Sequence, residues 1–493
     1  MNKSVLWILA LLCANGILAQ SEIDKVKATV NKSDIEAHIY FLADDLLKGR
    51  EAGTPENKIA AAYLANTLRS YGVKPSPKSG SYYQEISLVK KSAPKSFSLE
   101  LNDVVHEFKI AVNQAEQNGE FEGIYLGYGL ESDYEGKDLK QRFVIVKSGG
   151  PDSKSIRDAF GLQKKKEALA KEAGALGIIE LVEVSTGVWG RINHYYNSGR
   201  LEIASAEDSS EEKDQFAYIW AFDLKGRRAS EFKLEPTVNI NIGMDLGENE
   251  EIKTQNVIGV VEGTDPKLKN EYIIYSAHYD HVGIGRPDSK GDSIYNGARD
   301  NAVGTTTVLS MAENLAKYPT RRSALFILFT AEEKGLLGSK YYVENPVLPL
   351  EQMVYCFNSD NGGYNDTSLA TIVGLDRTTA RKNIVDAAAS FGLRAIEDPA
   401  PEQGLFDRSD NVQFAAKGIP APTFSMGFSS FDGDVTKYYH RPGDHADSMD
   451  YDYLLKFFRA YVMAGRSIAN DPDTPFWAGG DKYESAGNEL YGN

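Results

Sequence analysis

Cysteine is nearly absent from this chain of 493 residues, which contains only Cys13 and Cys356. Cys13 lies in an N-terminal segment that we expect to be removed, and a single remaining cysteine cannot form an internal disulfide bond. The stability of the protein must then come from its hydrophobic core or from a bound metal. Cys356 lies in the apolar segment MVYCFNSD, which predicts a small buried side chain rather than a reactive thiol.

Basic residues are also scarce. The chain has 54 Lys and Arg against 70 Asp and Glu, a formal net charge of -16. Nucleic-acid binding needs a basic face, so we expect no nucleic-acid partner.

Long hydrophobic runs are missing as well, and none predicts a membrane span. The apolar run at residues 5–12 is much shorter than the ~20 residues that cross a bilayer. Lys3 precedes this run and Ile17-Leu18-Ala19 follows it, which is typical of a signal peptide at residues 1–19. We therefore expect an exported protein, periplasmic or secreted. A lipoprotein is not expected, because Leu12 before Cys13 fits a lipidation signal poorly.

The length and composition predict a folded protein of two or three domains, since 42% of the residues are hydrophobic. Residues 20–100 form an N-terminal helical part. One helix begins at the capping pattern Ser33-Asp34-Ile35-Glu36 and ends near Leu47, and another follows Thr54-Pro55 and ends near Gly72. Residues 101–250 contain short β-like segments around one charged helix, KKKEALAKEAGALGIIELV. This pattern predicts a β-rich domain inserted into a larger one.

Residues 251–470 alternate between strands and helices, which predicts an α/β domain. The apolar runs YIIYSAHYD and ALFILFTAEE have the length of strands that are buried on both faces of a sheet. Helices are predicted at residues 303–317 and at about 453–469. The tail at residues 471–493 carries no structural signal.

Histidines and carboxylates collect at the predicted strand ends of this α/β domain. Four of the seven histidines fall in two short windows, His278 with His281 and His440 with His445. Carboxylates follow strands in HYDHVG, TAEE and FNSDNGG, and another precedes a helix in NGARDNAVG. Such strand ends are where α/β sheets build their sites. Five or six imidazole and carboxylate groups exceed the needs of one tetrahedral zinc ion, which predicts two neighbouring ions that share a carboxylate.

Glu332 and Glu333 are adjacent carboxylates just beyond an apolar run. Burial and mutual repulsion both disfavour the ionised form of such a pair. A proton or a metal cation nearby must therefore compensate.

The motifs HYDHVG, GARDNAVG, TAEEKGLLGS, NSD and YHRPGD occur in this order. Together they resemble the dinuclear zinc aminopeptidases and glutamate carboxypeptidases of metallopeptidase clan MH, peptidase family twenty-eight. The segment KEAGALGIIE resembles the protease-associated domain that many members carry as an insertion. The resemblance implies a mixed, mostly parallel sheet sandwiched by helices, with that insertion at residues 101–250.

The same resemblance implies a centre with two Zn²⁺ ions per chain. His278 and Asp360 would bind one ion. Glu333 and His440 would bind the other, and Asp300 would bridge the two.

The resemblance also implies roles for residues that are not metal ligands. Glu332 would be the general base that takes a proton from a metal-activated water and passes it to the departing amine. Asp280 would accept the imidazole N–H of His278 and orient the ring. Tyr439 could donate to the oxyanion or serve only in packing. A cis peptide bond is expected between Asp300 and Asn301.

These roles predict an exported aminopeptidase that acts on peptide N-termini. A carboxypeptidase or dipeptidase with the same metal core is the alternative, because Arg299 and Arg408 could hold a substrate carboxylate or form structural ion pairs. A glutaminyl cyclase uses a single zinc ion and would not need His278 as a ligand. A non-catalytic binding protein would have lost its metal ligands, whereas all five are present here. Both are disfavoured.

The sequence departs from the family pattern in two respects. Family members often have Ser-Asp-His where this chain has Ser409-Asp410-Asn411. His281 and His445 are additional imidazoles, which we expect either near the pocket or in ordinary surface positions.

Overall fold

A computed structural model of the protein describes residues 21–152, 155–205 and 216–492. The predicted signal peptide and Cys13 lie outside these residues. The described chain divides into two compact units: Ser87–Ile252, the inserted unit, and the residues on either side of it, the discontinuous unit. The predicted insertion at 101–250 falls within the inserted unit. The strands Tyr83–Lys91 and Asn249–Val261 contain the two unit boundaries.

A mixed sheet forms the centre of the discontinuous unit. Its strands in spatial order are Arg394–Glu397, Leu369–Val373, Thr423–Met426, Met353–Asn358, Tyr272–His278, Ser323–Phe329 and Asn249–Val261, with Lys74–Pro75 paired to the last. The short strands Gly283–Ile284 and Ile294–Tyr295 form a separate hairpin.

The central strands of this sheet run in parallel. Tyr272–His278 pairs in parallel with Ser323–Phe329 on one side and with Met353–Asn358 on the other. Their carboxyl ends therefore lie at the same edge of the sheet. This mixed, mostly parallel centre confirms the predicted fold class.

Helices cover this sheet on both faces. The α-helices of the discontinuous unit are Glu22–Lys27, Lys32–Leu42, Pro55–Ser70, Gly304–Lys317, Leu337–Glu344, Arg381–Ser390, Asn411–Ala415, Tyr451–Asn470 and Glu484–Tyr491. Successive strand residues point to opposite faces. Accordingly, Tyr275 belongs to the hydrophobic core that contains Phe457, whereas the preceding Ile274 belongs to the core that contains Phe414.

The N-terminal helices match the sequence prediction in part. Thr54 caps the helix Pro55–Ser70 through its side chain, as the Thr-Pro pattern predicts. The helix Lys32–Leu42, however, is capped by Asn31, whose side-chain oxygen accepts from the Asp34 backbone N–H. It also ends five residues before the predicted Leu47, because Asp44 caps a new turn through the Leu46 N–H.

One prediction on secondary structure is wrong. In KKKEALAKEAGALGIIELV the helix Ile156–Glu172 ends early, and Gly177–Val182 is a fully buried strand. Gly174 at φ +79° breaks the helix, and the β-branched residues after it suit a strand. The tail also carries structure: Trp477 is buried and its indole N–H donates to the Gly418 carbonyl at 2.8 Å.

The inserted unit has its own sheet and core. The strands in spatial order are Val104–Val105, Ser96–Leu101, Thr237–Asp245, Gln117–Tyr125, Phe143–Lys147, Gly177–Val182, Ala217–Phe222 and Lys109–Asn113. A further strand, Arg200–Ile203, pairs with Tyr83–Lys91. The helices are Ile156–Glu172, Thr186–Asn197 and Arg227–Leu234.

A buried ion pair ties a helix of the inserted unit to its sheet. The Lys166 ammonium donates to the Glu180 carboxylate at 2.6 Å, and both side chains are completely buried. Glu180 also accepts from the Tyr218 hydroxyl and the Trp220 indole N–H, each at 2.7 Å. The negative charge of the buried Glu180 carboxylate is therefore balanced only while Lys166 is present.

Lys166→Met should lower the free energy of unfolding by about 3–5 kcal/mol, because it leaves the Glu180 charge buried without a counter-ion. Urea unfolding followed by tryptophan fluorescence measures this loss. The neighbouring Lys165 is half exposed and pairs with the exposed Glu131, so Lys165→Met should change stability by at most about 1 kcal/mol. Equal effects of the two substitutions would contradict the interpretation.

Candidate metal centre

The central strands deliver the predicted ligands to one edge of the sheet. His278 is the last residue of the strand Tyr272–His278, and Asp360 follows Met353–Asn358 by two residues. Glu332 and Glu333 lie three and four residues beyond the strand that ends at Phe329. These side chains converge because their strands are parallel and in register.

The other two predicted ligands come from loops. Asp300 lies in the turn Ala298–Val303, just before the helix Gly304–Lys317. The peptide bond between Asp300 and Asn301 is cis, which confirms that expectation. His440 lies in the loop before the helix Tyr451–Asn470.

The side chains form two adjacent sets of possible metal donors. The first donor group consists of His278, Glu332 and Asp360. Its His278 Nε2 lies 3.3 Å from Asp360 Oδ1 and 4.0 Å from Glu332 Oε2. The second donor group consists of His281, Asp300, Glu333 and His440.

Asp300 faces both donor groups. Its Oδ1 lies 3.4 Å from His278 Nε2, whereas its Oδ2 lies 3.2 Å from His440 Nε2. His440 Nε2 is also 3.1 Å from Glu333 Oε2. Two donors on one tetrahedral zinc ion, each about 2.0–2.1 Å from it, are separated by about 3.3 Å. The spacing on both sides of Asp300 therefore fits a bridging carboxylate.

Several polar atoms of the second donor group are buried without a hydrogen bond. Within the described chain these are both ring nitrogens of His281, His440 Nε2 and Glu333 Oε1. Buried polar atoms of native proteins nearly always have partners. Imidazole nitrogens and carboxylate oxygens in this arrangement suit zinc, so the residues fit a metal ion.

The predicted hydrogen bond from His278 to the Asp280 carboxylate is not formed. His278 Nδ1 lies 3.8 Å from Asp280 Oδ1, and its acceptor is the Asp280 carbonyl oxygen at 3.2 Å. The Asp280 carboxylate instead accepts from the backbone N–H groups of Glu332 and Glu333, at 3.1 and 3.3 Å. Asp280 therefore positions both glutamates through their main chain.

Asp444 acts on the Asp300 loop in the same way. Its carboxylate accepts from the backbone N–H groups of Arg299 and Asp300, at 2.9 and 3.3 Å. It also forms a buried ion pair with the Arg299 guanidinium at 2.8 Å, and Arg299 donates further to Ser448. Arg299 is thus engaged in the structure and is not available to a substrate.

Arg50 is a further positioning residue, which the sequence did not predict. It is fully buried and donates to the carbonyl oxygens of Tyr279, Asn296 and Gly297, at 2.7, 2.6 and 3.1 Å. Its burial lowers the pKa to about 10, against the influence of nearby carboxylates led by Asp280. A buried cation held by backbone oxygens has no local sequence signature, because these three partners are more than 200 residues away.

The two adjacent glutamates have opposite protonation preferences. Burial, reinforced by the charges of Asp360 and Glu333, raises the pKa of Glu332 well above its usual value although His278 opposes this. Burial also disfavours the charged form of Glu333, but its contacts with His281 and His440 outweigh burial and hold the pKa well below its usual value. Such a divided pair suits one proton-transfer residue and one permanent anion.

The backbone around these glutamates is strained. Ala331 has φ +56° and His440 has φ +49°, both in the left-handed region that costs residues other than glycine free energy. Gly338, in the first turn of the helix Leu337–Glu344 that follows, leaves no room for a side chain, because a Cβ there would lie 2.1 Å from the Thr330 carbonyl oxygen. The fold thus holds the donor side chains in place at a local cost.

A pocket opens onto the first donor group and has an apolar wall. Its lining includes His278, Asp300, Glu332, Glu333 and Asp360, together with Val373, Leu405, Phe428, Phe431, Val435, Arg408 and Tyr439. The Tyr439 ring stacks on His440 with centroids 4.0 Å apart, and burial raises the pKa of its hydroxyl. The hydroxyl is therefore a proton donor and not an anion at neutral pH.

The remaining sequence-predicted residues lie outside this constellation. His445 is partly exposed, 3.4 Å from Asp292, and does not line the pocket. Asn411, in place of the family's histidine, is buried and donates to the carbonyl oxygens of Phe406 and Ala421. Cys356 is buried, and burial raises the pKa of its thiol to about 12, so it is a core residue as predicted.

The fold and this arrangement of histidines and carboxylates define a metallopeptidase-like α/β protein. Residues 256–464 match the family described as Peptidase family M28. The chain is similar to that family over this segment.

Known proteins agree with this assignment. Aminopeptidase YwaD of Bacillus subtilis is 31% identical over 204 residues, which are 41% of this chain and 42% of YwaD. The probable leucine aminopeptidase 2 of Aspergillus oryzae is 23% identical over 372 residues, 69% of this chain and 65% of that protein. The matches thus span less than two thirds of either relative's length. The solved aminopeptidase from Aneurinibacillus sp. strain AM-1 has the same fold, with a TM-score of 0.59, 22% identity, and 92% and 97% of the two chains covered.

Asp280→Ala should weaken zinc binding by about 10–100-fold, because it releases the backbone that positions Glu332 and Glu333. Competition with a chromophoric chelator measures the affinity. Asp447→Ala, at an exposed aspartate that follows His440 in the chain, is the matched control and should leave the affinity unchanged. An Asp280→Ala protein that binds zinc like the unaltered chain would refute this role.

Proposed function

We propose that this protein is an exported dizinc aminopeptidase that removes N-terminal residues from peptides. The observation that carries the proposal is the pair of donor groups on either side of Asp300, with Glu332 at the pocket that opens onto them. His278, Asp360 and Asp300 would hold one ion. Glu333 and His440 would hold the second together with Asp300.

The residues of the pocket divide the catalytic work. Bound zinc ions polarise a carbonyl group and lower the pKa of a water molecule. Glu332, in its ionised form, would take the proton of the attacking water and deliver it to the departing amine. Burial raises the pKa of its carboxyl group, which makes the carboxylate a stronger base. Tyr439, which lines the pocket and whose hydroxyl is neutral, would donate to the oxyanion. Asp280 takes no proton but keeps Glu332 in place.

The charges in the pocket favour an amine over a carboxylate as the recognised chain end. Asp300, Glu332, Glu333 and Asp360 all line the pocket, against the single cation Arg408. The two zinc ions of the proposed centre would offset the charge of the ligand carboxylates, so the carboxylate left to attract a free α-amine is that of Glu332. The engagement of Arg299 by Asp444 removes the second arginine that a carboxylate clamp would use.

A carboxypeptidase or dipeptidase is the second candidate, and Arg408 favours it. This side chain is exposed, lines the pocket, and has no ion pair or hydrogen bond within the described residues. A guanidinium in that place could hold a substrate carboxylate in two parallel hydrogen bonds.

Two further parts of the proposal concern the rest of the chain. The inserted unit would be a protease-associated domain, on the resemblance of KEAGALGIIE. Export rests on residues 1–19, with periplasmic or secreted location. Among the described helices, none is long and apolar enough to cross a bilayer.

A panel of chromogenic substrates tests the direction of cleavage. L-aminoacyl p-nitroanilides with a free amine should be hydrolysed, and their N-acetyl counterparts should not, because the acetyl group removes the charge that the pocket attracts. N-blocked dipeptides with a free carboxylate form the third arm. Preferential hydrolysis of these N-blocked dipeptides would contradict the aminopeptidase proposal and support the carboxypeptidase.

Glu332→Gln should lower kcat by about 10²–10⁴-fold, because it removes the proton acceptor, and should leave two zinc ions per chain. The adjacent Glu333→Gln is the matched variant and should lose zinc, since it weakens a ligand. Steady-state kinetics and elemental analysis of the same preparations measure both effects. Zinc loss in Glu332→Gln but not in Glu333→Gln would mean that Glu332 is the metal ligand and Glu333 the general base.

A further inference from the structure

His281 is a buried imidazole for which the proposed mechanism has no use. Its side chain is completely buried, and neither ring nitrogen has a hydrogen-bond partner within the described chain. An unsatisfied buried polar group costs about 1–3 kcal/mol. A native structure keeps such a group only where something else compensates for it.

The surroundings of His281 resemble those of His440. His281 Nδ1 lies 2.7 Å from Glu333 Oε1 and 3.9 Å from Asp300 Oδ2. His440 Nε2 lies 3.1 Å from Glu333 Oε2 and 3.2 Å from the same Asp300 oxygen. Neither nitrogen is aligned for a hydrogen bond with these carboxylates. Two imidazole nitrogens that face the same two carboxylates without bonding to them are arranged as donors to a shared cation.

We propose that His281 is the fourth side-chain donor of the second metal position, through Nδ1, and that this position is closed. The proposal rests on the metal dependence of the proposed function. His281, His440, Glu333 and Asp300 offer ligand atoms that all lie within 4.8 Å of one another. Four nitrogen and oxygen donors complete a tetrahedral zinc shell, as in structural zinc sites.

The first metal position differs, because one of the four side chains around it, Glu332, is the proton acceptor of the proposed function and not a ligand. His278 and Asp360 belong to it alone, and Asp300 is shared. Three protein donors leave one coordination position open, which is the arrangement of catalytic zinc sites. The two metal positions are thus unequal, one closed and one open.

The pocket shows the same inequality. Its lining includes His278, Glu332 and Asp360, but neither His281 nor His440. A ligand that enters the pocket therefore meets the whole first donor group, but only the carboxylates Asp300 and Glu333 of the second. The imidazoles of the second donor group lie away from the pocket surface.

The fold provides a dedicated seat for the His281 ring. A Cβ at Gly297 would lie 2.7 Å from two of its ring carbons, so the ring packs directly against a glycine. Gly297 has φ +62°, and its carbonyl oxygen accepts from Arg50 at 3.1 Å. The His281 backbone N–H donates to the Arg50 carbonyl oxygen at 3.4 Å. Arg50 thus fixes both the ring and the surface against which it packs.

Cadmium NMR of the unaltered full-length chain tests the proposal directly. With ¹¹³Cd at both positions and ¹⁵N-labelled histidine, one cadmium signal should couple to two imidazole nitrogens and the other to one. One coupled nitrogen on each cadmium would overturn the closed second position while leaving the dizinc function intact. If the chain binds no metal at all, the proposed dizinc function itself is refuted.

Zinc affinity of variants gives the second test. His281→Ala should weaken the tighter of the two zinc sites at least about tenfold in chelator competition and leave the other within about twofold. His281→Gln, which keeps a polar side chain in the seat, should lie between His281→Ala and the unaltered chain, and circular dichroism checks its fold. His445→Ala, at the partly exposed histidine, should change neither affinity. Unchanged affinity in His281→Ala would overturn the proposal.

Discussion

The concentration of negative charge at the carboxyl edge of one sheet is the constraint on which the rest of the site depends. Asp300, Glu332, Glu333 and Asp360 all face one small region. Burial raises the pKa of the nearby Asp280 to about 6 and that of Asp410 to about 7. Carboxylates at such distances repel one another strongly in a medium of low dielectric constant. The arrangement is stable only with cations among them.

Built-in cations meet part of this requirement. Arg50 and Arg299 are buried at the periphery of the site, where they neutralise the positioning carboxylates and hold the loops. The centre itself has imidazoles in place of arginines, and imidazoles are neutral when they bind a metal. The remaining charge therefore falls to divalent ions. This division explains why the residues around Asp300 have buried atoms without a hydrogen bond, while the positioning carboxylates Asp280 and Asp444 accept from backbone N–H groups.

The sequence predicted the inner layer of the site well and the outer layer poorly. His278, the two glutamates and Asp360 follow strands directly, so that a parallel sheet brings them together whatever the loops do. Arg50 acts through contacts with residues more than 200 positions away, which no local pattern records. The prediction gives Asp280 the wrong hydrogen-bond donor. From the sequence alone, a carboxylate two residues from an imidazole could accept either from that ring or from backbone N–H groups far away in the chain.

The predicted bounds of some helices and strands are wrong for a related reason. The Ala- and Lys-rich run before Glu172 continues as Ala-Gly-Ala-Leu beyond the end of the helix. Only Gly174 and the β-branched Ile178 and Ile179, which are buried in the sheet, mark the change to the strand that begins at Gly177. The same tertiary burial fixes Trp477 in a tail without any periodic pattern.

The separation of ligands from positioning groups has a mechanical consequence. Glu332 and Asp300 stand on loops, which are ordinarily the least rigid parts of a fold. Each loop is held by a carboxylate that binds backbone N–H groups, Asp280 in one case and Asp444 in the other. Preorganised groups need little reorganisation when charge develops in a reaction. In the proposed mechanism Glu332 would therefore stay beside the first metal position while the substrate changes, so its placement would not depend on the peptide that enters the pocket.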